Sequence, residues 1–194
     1  MNDYYRLAPE VYGATTRGIP GDVAFYRDLA VASGGPVVEL GAGTGRIAVP
    51  IAEAGVEVIG IDAAPEMLEV ARRHAETAGV AERVRLVVGD MRTFTLDEPV
   101  PLVVIPHRTF LHNLDEADQL ATLQACQRAL RLGGRLALNV FNPSPALLER
   151  TARRSQPYGR GDRVAPEHEV GDRIVTSRLT WREEGVTRRA SLTL

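Results

Sequence analysis

Val37-Val38-Glu39-Leu40-Gly41-Ala42-Gly43-Thr44-Gly45-Arg46-Ile47 is the stretch on which the fold turns. An apolar run over 36–40 stops at three glycines on alternate residues. Ile47, Ile51 and Ala54 then share one face of a helical pattern. That is strand, tight turn, helix. Glycine has no Cβ, so its backbone turns sharply and can lie against a ligand. The helix start behind it points free N–H groups into the same space. A nucleoside-type cofactor is expected across this turn.

Outward from the turn, strand and helix alternate. Upstream, Pro20-Gly21-Asp22 starts a helix with Val23, Tyr26, Leu29 and Ala30 on one face, and Ser33-Gly34-Gly35 ends it. Residues 1–19 show little periodicity and read as an irregular arm with one short helix. Downstream, Pro50 falls inside helix 44–54, where it removes a backbone bond at a cost of about 3 kcal/mol. Either the helix kinks or it is short enough to put Pro50 in its first turn. Residues 56–62 form a second strand ending in Asp62. Pro65 suits a first helical position, Ala64 is a poor cap, and Met67, Leu68, Ala71, Ala75 and Ala78 make a stripe. Residues 83–88 are a third strand leading to Gly89-Asp90, and 101–105 a fourth, apolar on both faces as buried parallel strands are. The crossover over 91–100 is short for a helix. Asp115 caps a helix with Leu120, Leu123 and Leu130 facing inward, closed by Gly133-Gly134, and 135–141 is a fifth strand.

This pattern predicts the α/β class: a Rossmann-like, doubly wound, mostly parallel sheet with helices on both faces. Ligands of such sheets sit beyond the carboxyl ends of the strands, at the switch point. Residues 41–45, Asp62, Asp90 and His107 all fall there. After Phe141 the character changes. Residues 143–155 read as a helix, 156–171 as a polar loop, and 173–183 with 186–194 as a hairpin around Glu184-Gly185. This tail holds ten arginines, read as solvated surface or as a basic rim for an acidic substrate. Three segments result: 1–35, an arm and helix covering the cofactor; 36–142, the cofactor-binding core; and 143–194, a substrate lid or oligomer contact.

At 194 residues the chain is long enough for one domain with a sizeable core. A net charge of −2 argues against bulk electrostatic binding to nucleic acid or anionic membrane, so neither is an expected partner. The N-terminus lacks the shape of a signal peptide, and no apolar run is long enough to span a bilayer. The single cysteine, Cys126, fits a reducing, cytoplasmic compartment and reads as a small core residue. All 23 basic residues are arginine, which excludes a catalytic lysine and reflects a bacterial base composition. No metal site is expected.

A dinucleotide site wants Gly-x-Gly-x-x-Gly, but here the third glycine comes early and Arg46 stands in its place. Asp62 would grip ribose hydroxyls in either case. Glu39, a carboxylate inside an apolar strand, is costly unless it faces polar ligand atoms, and it suits a cationic cofactor end better than a pyrophosphate. Gly89-Asp90-Met91 adds a second acid, and Leu132-Gly133-Gly134-Arg135-Leu136 leads into the fifth strand. In this order and spacing, 36–141 resembles the class I S-adenosylmethionine-dependent methyltransferases of small-molecule type.

That resemblance implies S-adenosylmethionine as cofactor and S-adenosylhomocysteine as product. It puts Gly41, Ala42, Gly43, Thr44 and Gly45 under the methionyl and ribose part, with Glu39 near the amino-acid end and Asp62 on the ribose. It sets Ala63 and Met67 at the adenine edge, though Met67 also fits the core. Gly89 and Asp90 would meet the adenine amino group, Met91 would pack on the ring, and Pro106 would line the same pocket. Arg17 would pair the cofactor carboxylate, while Tyr4, Tyr5 and Tyr12 would cover the transfer site.

Methyl transfer from a sulfonium needs alignment, water exclusion and, for some acceptors, proton removal. The fourth strand's end, Ile105-Pro106-His107-Arg108-Thr109-Phe110-Leu111-His112-Asn113, faces that step in this fold. His107 reads as a general base, a substrate orienter or a structural histidine. Arg108 would hold a substrate carboxylate or bond locally, and His112 would touch substrate or cap the next helix. His74 and His168 read as surface. Relatives that methylate base or glutamine amino groups often carry Asn/Asp-Pro-Pro-aromatic here, so Ile105-Pro106-His107-Arg108 leaves a small metabolite as the acceptor. Family sheets usually have seven strands, and five are legible. The chain is therefore expected to be a truncated domain, with a homodimer contact through its tail. The alternatives are an NAD(P)-binding oxidoreductase domain and a non-catalytic S-adenosylmethionine-binding domain.

Overall fold

The computed structural model describes residues 3–7, 9–16, 18–141, 144, 146, 156–158, 162–170, 175–183 and 186–193. Chain contacts divide it into two units. One is Gly18–Val140; the other joins Met1–Arg17 to Phe141–Leu194.

The Gly18–Val140 unit carries α3 (Asp22–Ser33), β1 (Val37–Leu40), α4 (Ala48–Glu53), β2 (Val58–Asp62), α5 (Pro65–Thr77), β3 (Val84–Val88), β4 (Val100–Ile105), α6 (Glu116–Ala129) and β5 (Leu130–Leu138). Its sheet has the order β3-β2-β1-β4-β5, and every pairing is parallel. The order reverses between β1 and β4, so the switch point lies at their carboxyl ends.

Alternation along buried strands sorts the core into two layers. Val37, Leu102 and Val104 pack with Tyr26 and Ala30 of α3, Ile51 of α4 and Ala75 of α5. Val38, Leu40, Val103 and Ile105 pack with Phe94, Phe110 and Ala125, Cys126 and Ala129 of α6. Helices therefore cover both faces, as the alternation predicts. The crossover from β3 to β4 has no helix, and Phe94 plugs that face instead. Pro50 falls in the first turn of a six-residue α4, so the helix is short and not kinked. Pro65 is in the first turn of α5, and Ala64 gives no side-chain cap.

One expectation holds at α6 and one fails. Asp115 does cap it, accepting from the Asp118 N–H at 2.8 Å. However, Leu120 and Leu123 are 56% and 39% exposed. The inward stripe is Asp118, Gln119, Thr122, Ala125, Cys126 and Ala129, because the helix must present polar groups to the loops beneath it. The fifth strand also starts earlier than expected: β5 absorbs Gly133-Gly134 at a register shift opposite Val100 and Leu102.

In the other unit, α1 (Asp3–Leu7) and α2 (Pro9–Thr15) stand with β6 (Gln156–Tyr158), β7 (Asp162–Val170), β8 (Val175–Glu183) and β9 (Val186–Thr193). The four strands form one antiparallel sheet in that order. The hairpin around 184–185 is β8 with β9. The polar loop expected over 156–171 is instead β6 and β7. Proline and charge obscured the alternation there, yet among the described residues β6 pairs only with 162–164, so Pro166 lies on an edge, where a missing N–H is tolerated. The arm has two short helices, not one, and it contributes to a core. Val11 is buried against Trp181, with Tyr5, Tyr12 and Ala190 packed around them. The helix expected over 143–155 lies almost wholly outside the described residues.

Candidate functional site

The glycine turn is held from both sides. The N–H groups of Gly41 and Ala42 both donate to the Ile61 carbonyl, at 2.7 and 3.1 Å, so the turn lies against the end of β2. Gly41 has φ +69°, and a Cβ there would come within 2.2 Å of Thr109 Cγ2. A side chain is excluded by conformation and by space alike. At Gly45 (φ +81°) a Cβ would press on Val49 and Ala71 at 3.2 and 3.3 Å, so this glycine sets how closely α5 approaches. Ala42, Gly43 and Thr44 are buried, and the Thr44 carbonyl accepts from His74 Nδ1–H at 2.8 Å. His74 is exposed, as expected, and also ties α5 to the turn.

Glu39 sits immediately below, 2% exposed. Its register partners are Gly60 and Val104. Burial pushes its carboxyl well above the ordinary range, opposed by the Arg46 guanidinium and the Ala48 N–H and reinforced by Asp62. Its Oε2 is buried with no hydrogen-bond partner among the described residues. Such an orphan costs about 1–3 kcal/mol or more if charged, and asks for a donor.

Arg46, noticed in the sequence only as a missing glycine, makes a two-pronged pair with Asp22 of α3 at 2.9 and 2.8 Å. Burial pushes Asp22 up, but the bonds from Arg46 and from the backbone hold it below the usual carboxylate range. Gly18 (φ +74°) lies against this pair, where a Cβ would fall 2.2 Å from an Arg46 nitrogen. Burial, Asp22 and Glu39 together raise the Tyr26 hydroxyl to about 12.

Asp62 ends β2 and accepts from the N–H groups of Gly43 (2.8 Å) and Ala64 (2.9 Å). Burial raises its pKa against those bonds. Ala63 beside it is exposed, whereas Met67 is 1% exposed. Met67 therefore offers a ligand no surface, and of its two readings the structure supports the core. Gly89 N–H bonds the Asp62 carbonyl at 2.9 Å, joining the ends of β2 and β3. Asp90 is gripped by Arg92, which also reaches Asp118 of α6 at 2.6 Å. Met91 is half-buried, with Asn113 Nδ2 3.5 Å from its sulfur.

At the end of β4, Pro106 is buried, and His107 and Arg108 follow with φ +51° and +66°. Two successive non-glycine residues in the left-handed region cost on the order of 1–3 kcal/mol each, and such strain clusters at functional sites. The Arg108 N–H donates to Asn139 Oδ1 at 3.3 Å, and its guanidinium donates to His107 Nε2 at 3.2 Å. Burial, then Arg108 and Arg46, lower the His107 pKa to about 4. His112 ends the short turn over 109–112.

The structure thus brings 39–46, 62–63, 89–92 and 106–112 to the carboxyl edge of one sheet. Tyr5 and Tyr12 belong to the other unit, where their rings meet edge-on at 5.3 Å. The side chain of Tyr4, that of His168 and all of Arg17 lie outside the described residues. Asp22, Arg92, Asn113, Thr122 and Asn139 were not singled out from sequence. Only the close spacing of Asp90 and Arg92 was a local signal; the rest depend on long-range contacts.

Residues 37–134 match the family model described as a methyltransferase domain, half of the chain and all of the strands just described from β1 to β4. The chain belongs to the class I S-adenosylmethionine-dependent methyltransferase family. This membership sets aside the dinucleotide oxidoreductase alternative. Among curated relatives of this methyltransferase domain, the ubiquinone biosynthesis O-methyltransferase of Cereibacter sphaeroides is 33% identical over 127 residues, 62% of this chain and 48% of that protein. The cypemycin N-terminal methyltransferase of a Streptomyces species is 29% identical over 157 residues, 80% of this chain and 61% of that protein. The chain spans roughly half to three-fifths of the length of these two relatives. Among solved structures, the CcbJ methyltransferase from Streptomyces caelestis matches with a TM-score of 0.79 at 24% identity, over 98% of this chain and 80% of that one. The glycopeptide N-methyltransferase MtfA, solved with S-adenosyl-L-homocysteine, matches with a TM-score of 0.57 at 29% identity, over 88% and 71%.

Proposed function

We propose that this chain binds S-adenosylmethionine across Gly41–Gly45 and transfers its methyl group to a small-molecule acceptor. The observation that carries the reading is Glu39: a buried carboxylate oxygen with no hydrogen-bond partner among the described residues, directly under a turn whose Gly41 admits no side chain, at the switch point of the sheet. A pyrophosphate would be repelled there, whereas a ligand ammonium supplies the missing donor. The bound cofactor supplies a methyl on a positively charged sulfur, already activated for in-line displacement.

The chain's own residues then bind and align. Asp62 accepts the N–H groups of Gly43 and Ala64, one on each oxygen, with that of Ala63 also against it, and a carboxylate has about four lone pairs; what remains faces the ribose hydroxyls. Ala63, Gly89, Asp90 and Met91 border the adenine. Pro106 lines the cofactor pocket, and the strained His107–Arg108 turn faces the acceptor. A histidine titrating near 4 is neutral at pH 7 and only a weak base, so His107 orients the acceptor in preference to removing its proton. Arg108 and His112 complete that wall. The single buried Cys126 supports a reducing, cytoplasmic compartment, and the relatives named above are bacterial.

Titration calorimetry with S-adenosylmethionine, S-adenosylhomocysteine and NAD tests the cofactor. Binding of both sulfur nucleosides and indifference to NAD is expected; tight NAD binding with no response to the other two would sink the proposal. Replacing Asp62 by alanine should weaken S-adenosylhomocysteine by about 2–4 kcal/mol, the loss of two charge-assisted bonds. An unchanged affinity would mean the ribose lies elsewhere.

A further inference from the structure

Arg92 emerges as a positioning residue. It follows the third strand by four residues and takes hold of both oxygens of the Asp90 carboxylate. Its backbone N–H and its Nε both donate to Asp90 Oδ1 at 2.9 Å. Its Nη2 donates to Oδ2 at 2.5 Å, with Nε shared to the same oxygen at 3.1 Å. The fork is anchored in turn, because Nη1 reaches Asp118 Oδ2 on α6 at 2.6 Å. The loop between is pinned to the same helix: Asn113 Nδ2 contacts both Met91 Sδ and the buried Thr122 hydroxyl, at 3.5 and 3.0 Å. The polar inner stripe of α6 is thus spent on residues 91–92 and 113.

We infer that Arg92, braced by Asp118, fixes the plane of the Asp90 carboxylate so that its remaining lone pair selects a purine bearing a 6-amino group over one bearing a 6-oxo group. The inference rests on the cofactor reading above. Three Arg92 donors, the backbone N–H on Oδ1, Nη2 on Oδ2 and Nε divided between the two, take about three of the carboxylate's four or so acceptor sites and leave one lone pair open. An adenine amino group fills it with an N–H. A hypoxanthine oxygen at the same place meets a carboxylate that cannot turn away, acceptor against acceptor. Arg92 holds Asp90 below the usual carboxylate range, so the acceptor stays ionised throughout the neutral range.

The test compares S-adenosyl-L-homocysteine with S-inosyl-L-homocysteine by titration calorimetry on the whole chain. Wild type should prefer the adenosyl ligand at least tenfold. Arg92→Ala should cut that preference at least fivefold, mainly through the adenosyl ligand, and Asp118→Asn should cut it by a smaller factor while leaving Arg92 itself in place. Arg92→Lys, which keeps the charge and loses the fork, should fall between alanine and wild type. A merely structural role would weaken both ligands equally and leave the ratio where it was, and that result in either Arg92→Ala or Asp118→Asn overturns the inference. So does a wild type that binds both ligands alike, although the cofactor reading then stands. A wild type that binds neither overturns both.

Discussion

Glu39 and His107 are titratable groups held away from their ordinary behaviour, in opposite senses. Burial raises the Glu39 carboxyl above its ordinary 4.5, so the ligand-free fold binds this proton more tightly than the unfolded chain does. Its contribution to stability is complete below about pH 4.5 and is lost as pH rises through the folded value. His107 is depressed from 6.5 to about 4, so its contribution is complete above about pH 6.5 and is lost as pH falls toward 4. A cofactor ammonium beside Glu39 favours the carboxylate and expels the proton. Calorimetry in two buffers of different ionisation enthalpy should therefore report release of up to about one proton per S-adenosylmethionine bound below the folded Glu39 pKa. Glu39→Gln should abolish that release. Gly41 makes a steric prediction: Gly41→Ala should destabilise by about 2–4 kcal/mol, combining a left-handed φ with the clash on Thr109. Adding Thr109→Ser should recover the clash but not the backbone cost, as read by urea denaturation.

Each helix that touches the site has a distinct task. α3 supplies Asp22 to Arg46, α5 supplies His74 to the turn, and α6 grips the loops after β3 and β4. The outward Leu120 and Leu123 should be dispensable for stability: Leu120→Gln is expected within about 0.5 kcal/mol of wild type. Thr122→Val, nearly the same shape, should cost about 1–3 kcal/mol because Asn113 loses its acceptor in a buried place. Chemical denaturation of the two variants side by side checks the reversal of the usual leucine-in, threonine-out rule. The N-cap is a milder case, and Asp115→Ala should lose about 1 kcal/mol by the same measurement.

Two folding principles meet in this chain: a parallel sheet with local crossovers over Gly18–Val140, and an antiparallel sheet that draws its partners from both ends of the sequence. We propose that the tail sheet also carries a contact between two copies. Light scattering across micromolar concentrations should then give a dimer mass, and a monomer throughout would rule that contact out. The parallel unit was legible almost strand by strand, because runs such as 101–105 are apolar on both faces and end at glycine or acid. The tail was legible only at β8 and β9. β6 and β7 are polar and carry prolines at 157 and 166, and their strand character comes from pairing with neighbours.

The residues alone carried the expectation of a cofactor cleft. Glycine at 41, 43 and 45, with acids at 39, 62 and 90, lies within or just beyond β1, β2 and β3, where the resemblance puts a nucleoside. Tertiary contact settled how those acids are held: Glu39 with one oxygen unanswered among the described residues, Asp62 on the backbone N–H groups of Gly43 and its own neighbours, Asp90 in the grip of Arg92. It also turned the leucines of α6 outward and put Val11 against Trp181. The physical reason is range. Local periodicity and turn chemistry report on neighbours a few residues apart, whereas Asp22 with Arg46 and Arg92 with Asp118 stand 24 and 26 residues apart and meet only once the sheet exists.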